Sequence, residues 1–132
     1  MKNTDHIQVA AAIIEKDGKI LIAKRDKDDP LKDKWEFPGG KREPNETLES
    51  CLKRELEEEL GVVTEIGEFI CASKYEYSHM AIELLVYRAH YVSGEFNAND
   101  HAEIRWVLAS DLNHYDFPEA DAPIVEMLMK DL

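Results

Sequence analysis

The sequence reads as one α/β domain, residues 1–132, in which a mixed β-sheet is covered by helices. Apolar runs of strand length alternate with helical periodicity in the order strands, helix, strands, helix, the pattern of a sheet with helices packed on it. In addition, 44% of the 132 positions are hydrophobic, enough for one core of ordinary domain size.

The elements follow in chain order. Ile7 to Ile14 is apolar, Lys16-Asp17-Gly18-Lys19 is a turn signal, and Ile20 to Ala23 is apolar again, which predicts a β-hairpin. Lys24 to Lys34 is charged, carries Pro30 and reads as a loop. Trp35-Glu36-Phe37-Pro38-Gly39-Gly40 is a short extended piece broken by Pro and Gly. Thr47 to Leu60 contains neither Gly nor Pro and is rich in Leu, Glu, Lys and Arg. It predicts a helix with Thr47 as N-cap, Glu49 in its first turn and Gly61 as its stop. Phe69–Tyr77, Ile82–Val92 and Ile104–Leu108 read as strands, Ser110–Leu112 as a helical turn and Ala122–Leu132 as a closing amphipathic helix.

On a helical wheel of about 100° per residue, Leu48, Leu52, Leu56 and Leu60 share one apolar stripe. Ser50, Lys53, Arg54 and Glu57 fall on the opposite, solvated face. Glu55, Glu58 and Glu59 fall on neither: at spacing i, i+3, i+4 they gather at the edge of the stripe. Like charges so placed repel, and more strongly when partly desolvated. Arg54 and Lys53 offset part of this from the far side. A hard, oxygen-seeking ion, Mg²⁺ or Mn²⁺, is the natural complement. The two cysteines, Cys51 and Cys71, stand without C-x-x-C spacing and read as small core residues.

These residues carry a resemblance. Gly40, Glu46 and Arg54-Glu55-Leu56-Glu57-Glu58-Glu59-Leu60-Gly61-Val62 match every fixed position of G-x5-E-x7-R-E-U-x-E-E-x-G-U, nine positions within 23 residues. The chain thus resembles the Nudix hydrolases. Ala23-Lys24-Arg25, Trp35-Glu36-Phe37-Pro38-Gly39-Gly40-Lys41 and Asp116-Phe117-Pro118-Glu119-Ala120-Asp121 extend the likeness to the MutT-like branch, nearest the CTP pyrophosphohydrolases. The resemblance implies a Nudix α/β/α sandwich that hydrolyses a nucleoside triphosphate to monophosphate and pyrophosphate. It further implies that Glu55, Glu58 and Glu59 bind Mg²⁺ or Mn²⁺ and that Arg54 orients them. The same resemblance implies that Gly39 offers its carbonyl to the metal, that Glu55 or Glu58 is the general base, and that Glu46 is structural or supports the metal ligands from behind. The extra acid that the branch carries before its late Trp falls on Asp100, six residues before Trp106, with Glu103 as rival.

The base pocket is read from Asp121, Phe37, Glu36 and Arg25. Where the branch has an Asn that binds oxidised guanine, this chain has Asp121. Ionised, it only accepts hydrogen bonds and suits the cytosine amine; buried and protonated, it also donates and suits oxidised purines. Phe37 and Tyr75 are candidates to stack on the base, and Arg25 to meet phosphate. His79 and His101 read as polar loop residues rather than ligands.

Sixteen basic residues against 28 acidic ones leave a net charge of −12, which argues against a nucleic-acid polymer as partner. No apolar stretch approaches the ~20 residues of a membrane span, and residues 1–10 lack the apolar core of a signal peptide. The expectation is a cytoplasmic monomer or homodimer acting on small nucleotides, in nucleotide-pool housekeeping of the DNA-repair kind. The alternatives are a Nudix hydrolase of dinucleoside polyphosphates or ADP-ribose, or a non-catalytic nucleotide sensor.

Overall fold

A computed structural model describes residues 6–26, 28–78 and 80–130. The chain runs β1 (Ile7–Lys16), β2 (Lys19–Lys24), β3 (Trp35–Glu36), β4 (Gly39–Lys41), α1 (Leu48–Leu60), β5 (Val62–Tyr77), β6 (Met80–Gly94), β7 (Glu103–Leu108) and α2 (Ala122–Lys130). Two short 3-10 helices, Ala109–His114 and Glu119–Asp121, precede α2.

The sheet is mixed. β1 runs parallel to β6 and antiparallel to β4, while β5 pairs antiparallel with β6. The hairpin end of β1, at Glu15 and Lys16, passes to β2, which carries β3 on one side and β7 on the other. Because side chains alternate along a strand, β1 feeds both faces. Ala10, Ala12 and Ile14 pack with Cys51, Leu52, Leu56 and Leu60 under α1. Ala11 and Ile13 pack with Ile22, Phe37, Val86, Leu112, Ile124 and Leu128 on the α2 side. The sheet between two helical layers is the expected sandwich.

α1 forms where its pattern requires. The Thr47 hydroxyl accepts the Ser50 N–H at 3.0 Å, the Ser50 hydroxyl answers the Thr47 N–H at 3.2 Å, and Gly61 closes the helix in the left-handed region at φ +74°. Three of the stripe leucines, Leu52, Leu56 and Leu60, are fully buried, and Leu48 packs partly against them.

Several boundaries differ from the sequence expectation. The strand expected at Phe69–Tyr77 begins at Val62, immediately after the helix cap. Gly67 and Glu68 interrupt its alternation, and register shifts on both sides of Phe69 absorb them while pairing with β6 continues. The expected Ile82–Val92 lengthens to Met80–Gly94 for the same reason. The extended piece at 35–40 is two strands, one bonded to β2 and one to β1. The helical turn at 110–112 widens to Ala109–His114. The closing helix is described to Lys130, so its expected last two residues, like His79, lie outside the described residues. No described helix is long and apolar enough to cross a membrane.

Candidate active site

α1 and the Gly39–Gly40 strand build one side of the site. Arg54 does not stay on a solvated face, as the wheel suggested; it folds over the acids. Its Nε and Nη2 donate to the two Glu46 oxygens at 2.8 and 3.0 Å, and its Nη1 donates to Glu55 at 3.1 Å and Glu58 at 3.3 Å. A long side chain reaches past the direction of its Cβ, which a wheel does not register. The guanidinium and the Glu43 N–H hold the Glu46 carboxyl down at about 2, and Glu46 in turn pins Arg54 in its charged form. Glu46 is therefore the anchor of Arg54.

The other acids lie in less favourable surroundings. Burial pushes the Glu55 carboxyl up, with Arg54 opposing. Burial, then the neighbouring charges of Glu36 and Glu55, push Glu59 up to about 9, although the Gly39 N–H donates to it at 3.3 Å. Glu58 is the exposed member, with 57% of its side chain accessible. Cys51, under the helix, donates weakly to the Gly40 carbonyl at 3.6 Å, and burial raises its thiol to about 11. It is a core residue and no nucleophile.

Beside these acids opens a cavity of about 270 Å³. Gly39, Gly40, Arg25, Glu36, Phe37 and Asp121 all line it, so one space touches the glycines beside Glu55 and Glu59 and four residues assigned to substrate from sequence. Glu36 is central. One of its oxygens takes Arg25 Nη2 at 2.8 Å, the other contacts His101 Nε2 at 2.7 Å, and its charge acts on both Glu59 and Asp121. Asp121 is 7% exposed; burial and Glu36 raise its carboxyl to about 7, with Arg25 opposing.

The segment carrying Asp121 is tied to β5. Ser73 donates to the Ala120 carbonyl at 2.9 Å, Tyr77 accepts the Ala120 N–H at 3.3 Å, and the Tyr75 hydroxyl bonds Glu119. Phe37 is buried and stacks on Phe117 with centroids 5.2 Å apart. Tyr77 rather than Tyr75 lines the cavity. The two tyrosines are two residues apart on one strand face; the Tyr77 hydroxyl accepts the Ala120 N–H while the Tyr75 hydroxyl is taken by Glu119.

Asp100 is exposed in the loop between Asn99, bonded to α1, and His101. Glu103 is held by Arg105, whose Nε donates to it at 2.9 Å. His101 lies in a loop, as read from the sequence, but its side chain is only 5% exposed and packs against Glu36. Nothing in the local sequence signals this, because the contact spans 65 positions.

The donor set suits a hard divalent cation. Glu55, Glu58 and Glu59 offer only carboxylate oxygen, and a charged Glu59 beside Glu36 and Glu55 calls for a cation that Arg54 does not supply, since it bonds Glu46, Glu55 and Glu58. As they stand, no three His, Cys, Asp or Glu side chains among the described residues converge on a point that would hold an ion. The exposed Glu58 side chain, turned onto Arg54, is the one most free to move.

A family model described as the NUDIX domain matches residues 9–127. The chain is 38% identical over 123 residues to a CTP pyrophosphohydrolase of Escherichia coli (strain K12), covering 93% of this chain and 91% of that protein. It is 36% identical over 126 residues to an 8-oxo-dGTP diphosphatase of Haemophilus influenzae, covering 95% and 93%. Its fold superimposes on the solution structure of the E. coli ORF135 protein with a TM-score of 0.84 and 37% identity, covering 96% of this chain and 91% of that one.

Proposed function

Because this chain belongs to the NUDIX domain family and is a Nudix hydrolase, we propose that it cuts a ribo- or deoxynucleoside triphosphate to the monophosphate and pyrophosphate. The substrate is a cytosine or an oxidised nucleotide, the metal is Mg²⁺ or Mn²⁺, and the setting is the cytoplasmic nucleotide pool. The observation that carries this reading is the single cavity lined both by Gly39 and Gly40 and by Phe37, Glu36 and Asp121. At about 270 Å³ it lies near the lower end of ligand pockets, roughly 300–1,000 Å³, and suits a base rather than a whole nucleotide. The phosphates then extend past Gly40 towards α1. The names of the relatives, one a CTP pyrophosphohydrolase and one an 8-oxo-dGTP diphosphatase, support the same substrate class.

Glu55, Glu58 and Glu59 would hold the cation, with the Gly39 carbonyl and Asp100 as further oxygen donors. When bound, a divalent cation polarises phosphoryl oxygen, offsets the charge of departing pyrophosphate and lowers the pKa of water. The protein's own part is to hold and to move a proton. Arg54, fixed by Glu46, keeps Glu55 and Glu58 oriented. One of those two carboxylates accepts a proton from the water that attacks phosphorus. Phe37 offers an apolar wall for the base, and Arg25, proposed from sequence to meet phosphate, instead lines the base cavity with its guanidinium bonded to Asp29 and Glu36.

The test is turnover with Mg²⁺ of CTP, dCTP, 5-methyl-dCTP, 8-oxo-dGTP, ADP-ribose and diadenosine tetraphosphate, with pyrophosphate resolved from phosphate. Release of pyrophosphate from CTP, dCTP or 8-oxo-dGTP is expected. Tight binding without turnover of any of them would overturn the reading.

Asp121 sets a second expectation. With its carboxyl near 7, it is mostly protonated, donor and acceptor, at about pH 6, and mostly an ionised acceptor at about pH 8. The ratio of kcat/KM for dCTP over 8-oxo-dGTP should therefore rise several-fold across that range. Effects of pH on metal binding act on both substrates and cancel in the ratio. Asp121→Asn should flatten the ratio and move preference towards 8-oxo-dGTP. A ratio equally flat in the unaltered enzyme would remove Asp121 from base recognition.

A further inference from the structure

The loop between β6 and β7 does two jobs at once. Its Asn97 N–H donates to the Leu60 carbonyl at 2.9 Å, its Asn99 N–H to the Glu59 carbonyl at 3.0 Å, and the Asn99 side-chain amide to the Glu58 carbonyl at 3.1 Å. It thereby satisfies carbonyls that the end of α1 leaves without helical partners. At its other end the Ala102 N–H donates to the Lys24 carbonyl at 3.0 Å, one residue before Arg25. Between these two anchors stands His101, pressed against Glu36.

The geometry points to His101 as a positioning residue for nucleotide recognition: we propose that it fixes the Glu36 carboxylate as a hydrogen-bond acceptor for an amino group of the base. The inference rests on the cavity being the base site. Glu36 has two carboxylate oxygens, and each is claimed by one donor from a different part of the chain, Arg25 Nη2 at 2.8 Å and His101 Nε2 at 2.7 Å. Two donors on opposite oxygens fix the plane of a carboxylate, whereas one donor leaves it free to swing about that bond. Remaining lone pairs of both oxygens stay available to the cavity that Glu36 lines.

The burial of His101 fits this role. Its side chain is only 5% exposed, so the ring is enclosed and its contact with Glu36 is not shared with bulk solvent. The ring meets Glu36 through Nε2 at 2.7 Å, the atom from which an N–H donates to a carboxylate oxygen. His101 acts through Glu36 and touches no reacting atom. Because its loop is also bonded to the carbonyls of Glu58 and Glu59, the acceptor facing the base and the helix carrying the acids share one support.

The test is a double-mutant cycle read by steady-state kinetics with dCTP, in the full chain with Mg²⁺. His101→Leu keeps the approximate size and removes the donor; His101→Gln restores a donor near the Nε2 position. His101→Leu should raise KM about tenfold, the scale of one hydrogen bond to a charged group, while kcat changes less than about threefold. His101→Gln should recover most of that loss. In a Glu36→Ala background, His101→Leu should add nothing, since the group it acts through is gone. Additive losses in the two variants, or a fall in kcat at unchanged KM, would overturn the inference. Melting temperatures of the three variants separate a general loss of folding from a loss of positioning, and His101→Gln with native stability but no recovery would also overturn it. If the unaltered protein turns over no nucleotide, the proposed function fails; if it does and the cycle is additive, only the role of His101 fails.

Discussion

Glu58→Gln should lower kcat at least about a hundredfold, the order expected when a metal ligand or general base is lost, and leave the fold intact. The two halves of that expectation come from different observations. The Glu58 side chain is 57% exposed and its bonds to Arg54 are the longest of that cluster, at 3.3 and 3.4 Å. An exposed ion pair of this kind is worth little, about 0–1 kcal/mol, so the melting temperature should move by a few degrees at most. The functional half follows from charge. Glutamine matches glutamate in size and still offers an oxygen to Arg54, but it neither takes a proton nor brings negative charge to a cation. If kcat falls while the melting temperature holds, Glu58 acts in the chemistry. Near-normal turnover would remove it from both the metal set and the choice of base.

The same substitution at Glu46 should behave differently. Glu46 is the bidentate partner of Arg54, which with the Glu43 N–H holds its carboxyl at about 2. Its charge serves the glutamates only through the guanidinium, so its influence on catalysis is indirect.

How much of this was legible in the sequence depends on the range of the interaction. α1 was readable because its signals are local: Thr47, the leucine stripe and Gly61 lie within a few turns of one another, and the structure places cap, stripe and stop as read. The placement of Glu55 and Glu59 off the solvated face was readable for the same reason, whereas Glu58, read with them, is exposed to solvent. The start of β5 was not, because its first residues are held by pairing with β6 some thirty positions on, through bulges that break the two-residue period. The two jobs of Trp35–Gly40, half bonded to β2 and half to β1, depend on tertiary pairing alone. Arg54 was misplaced by a wheel that follows Cβ directions while the guanidinium sits several bonds further out. His101 was missed because its partner is 65 residues away. Tyr77 and Tyr75 share a strand face, and which one reaches the cavity is set by how the 118–121 segment is tied to β5. The family pattern, by contrast, is a local string, which is why the identity of the helix was readable well before the shape of the pocket.

Gly39→Ala and Gly40→Ala should fail in opposite ways, although the two residues are neighbours in β4. A Cβ on Gly39 would overlap the Ala10 carbonyl oxygen and lie 2.8 Å from the Ala11 Cα, both backbone of the central strand β1. Neither moves without parting the β1–β4 ladder, where Ala11 pairs with Gly39. Gly39→Ala should therefore lower stability by at least about 1–3 kcal/mol, the usual cost of overpacking, and drop the melting temperature by several degrees. The three atoms nearest a Cβ on Gly40 all belong to the Glu55 carboxyl group, whose two oxygens would stand 2.5 and 2.6 Å away. That carboxylate is the end of a flexible side chain and swings aside at small cost in stability. In doing so it leaves both Arg54, 3.1 Å away, and its place among the acids of α1. Gly40→Ala should accordingly keep a near-native melting temperature and lose about tenfold to a hundredfold in kcat, with higher metal concentration restoring part of the loss, as expected for a displaced ligand. Thermal denaturation and a metal titration of turnover, run on both variants, decide the matter. An active Gly40→Ala would mean that Glu55 works from another position, and an equally unstable one would mean that the strand, rather than the glutamate, requires the glycine.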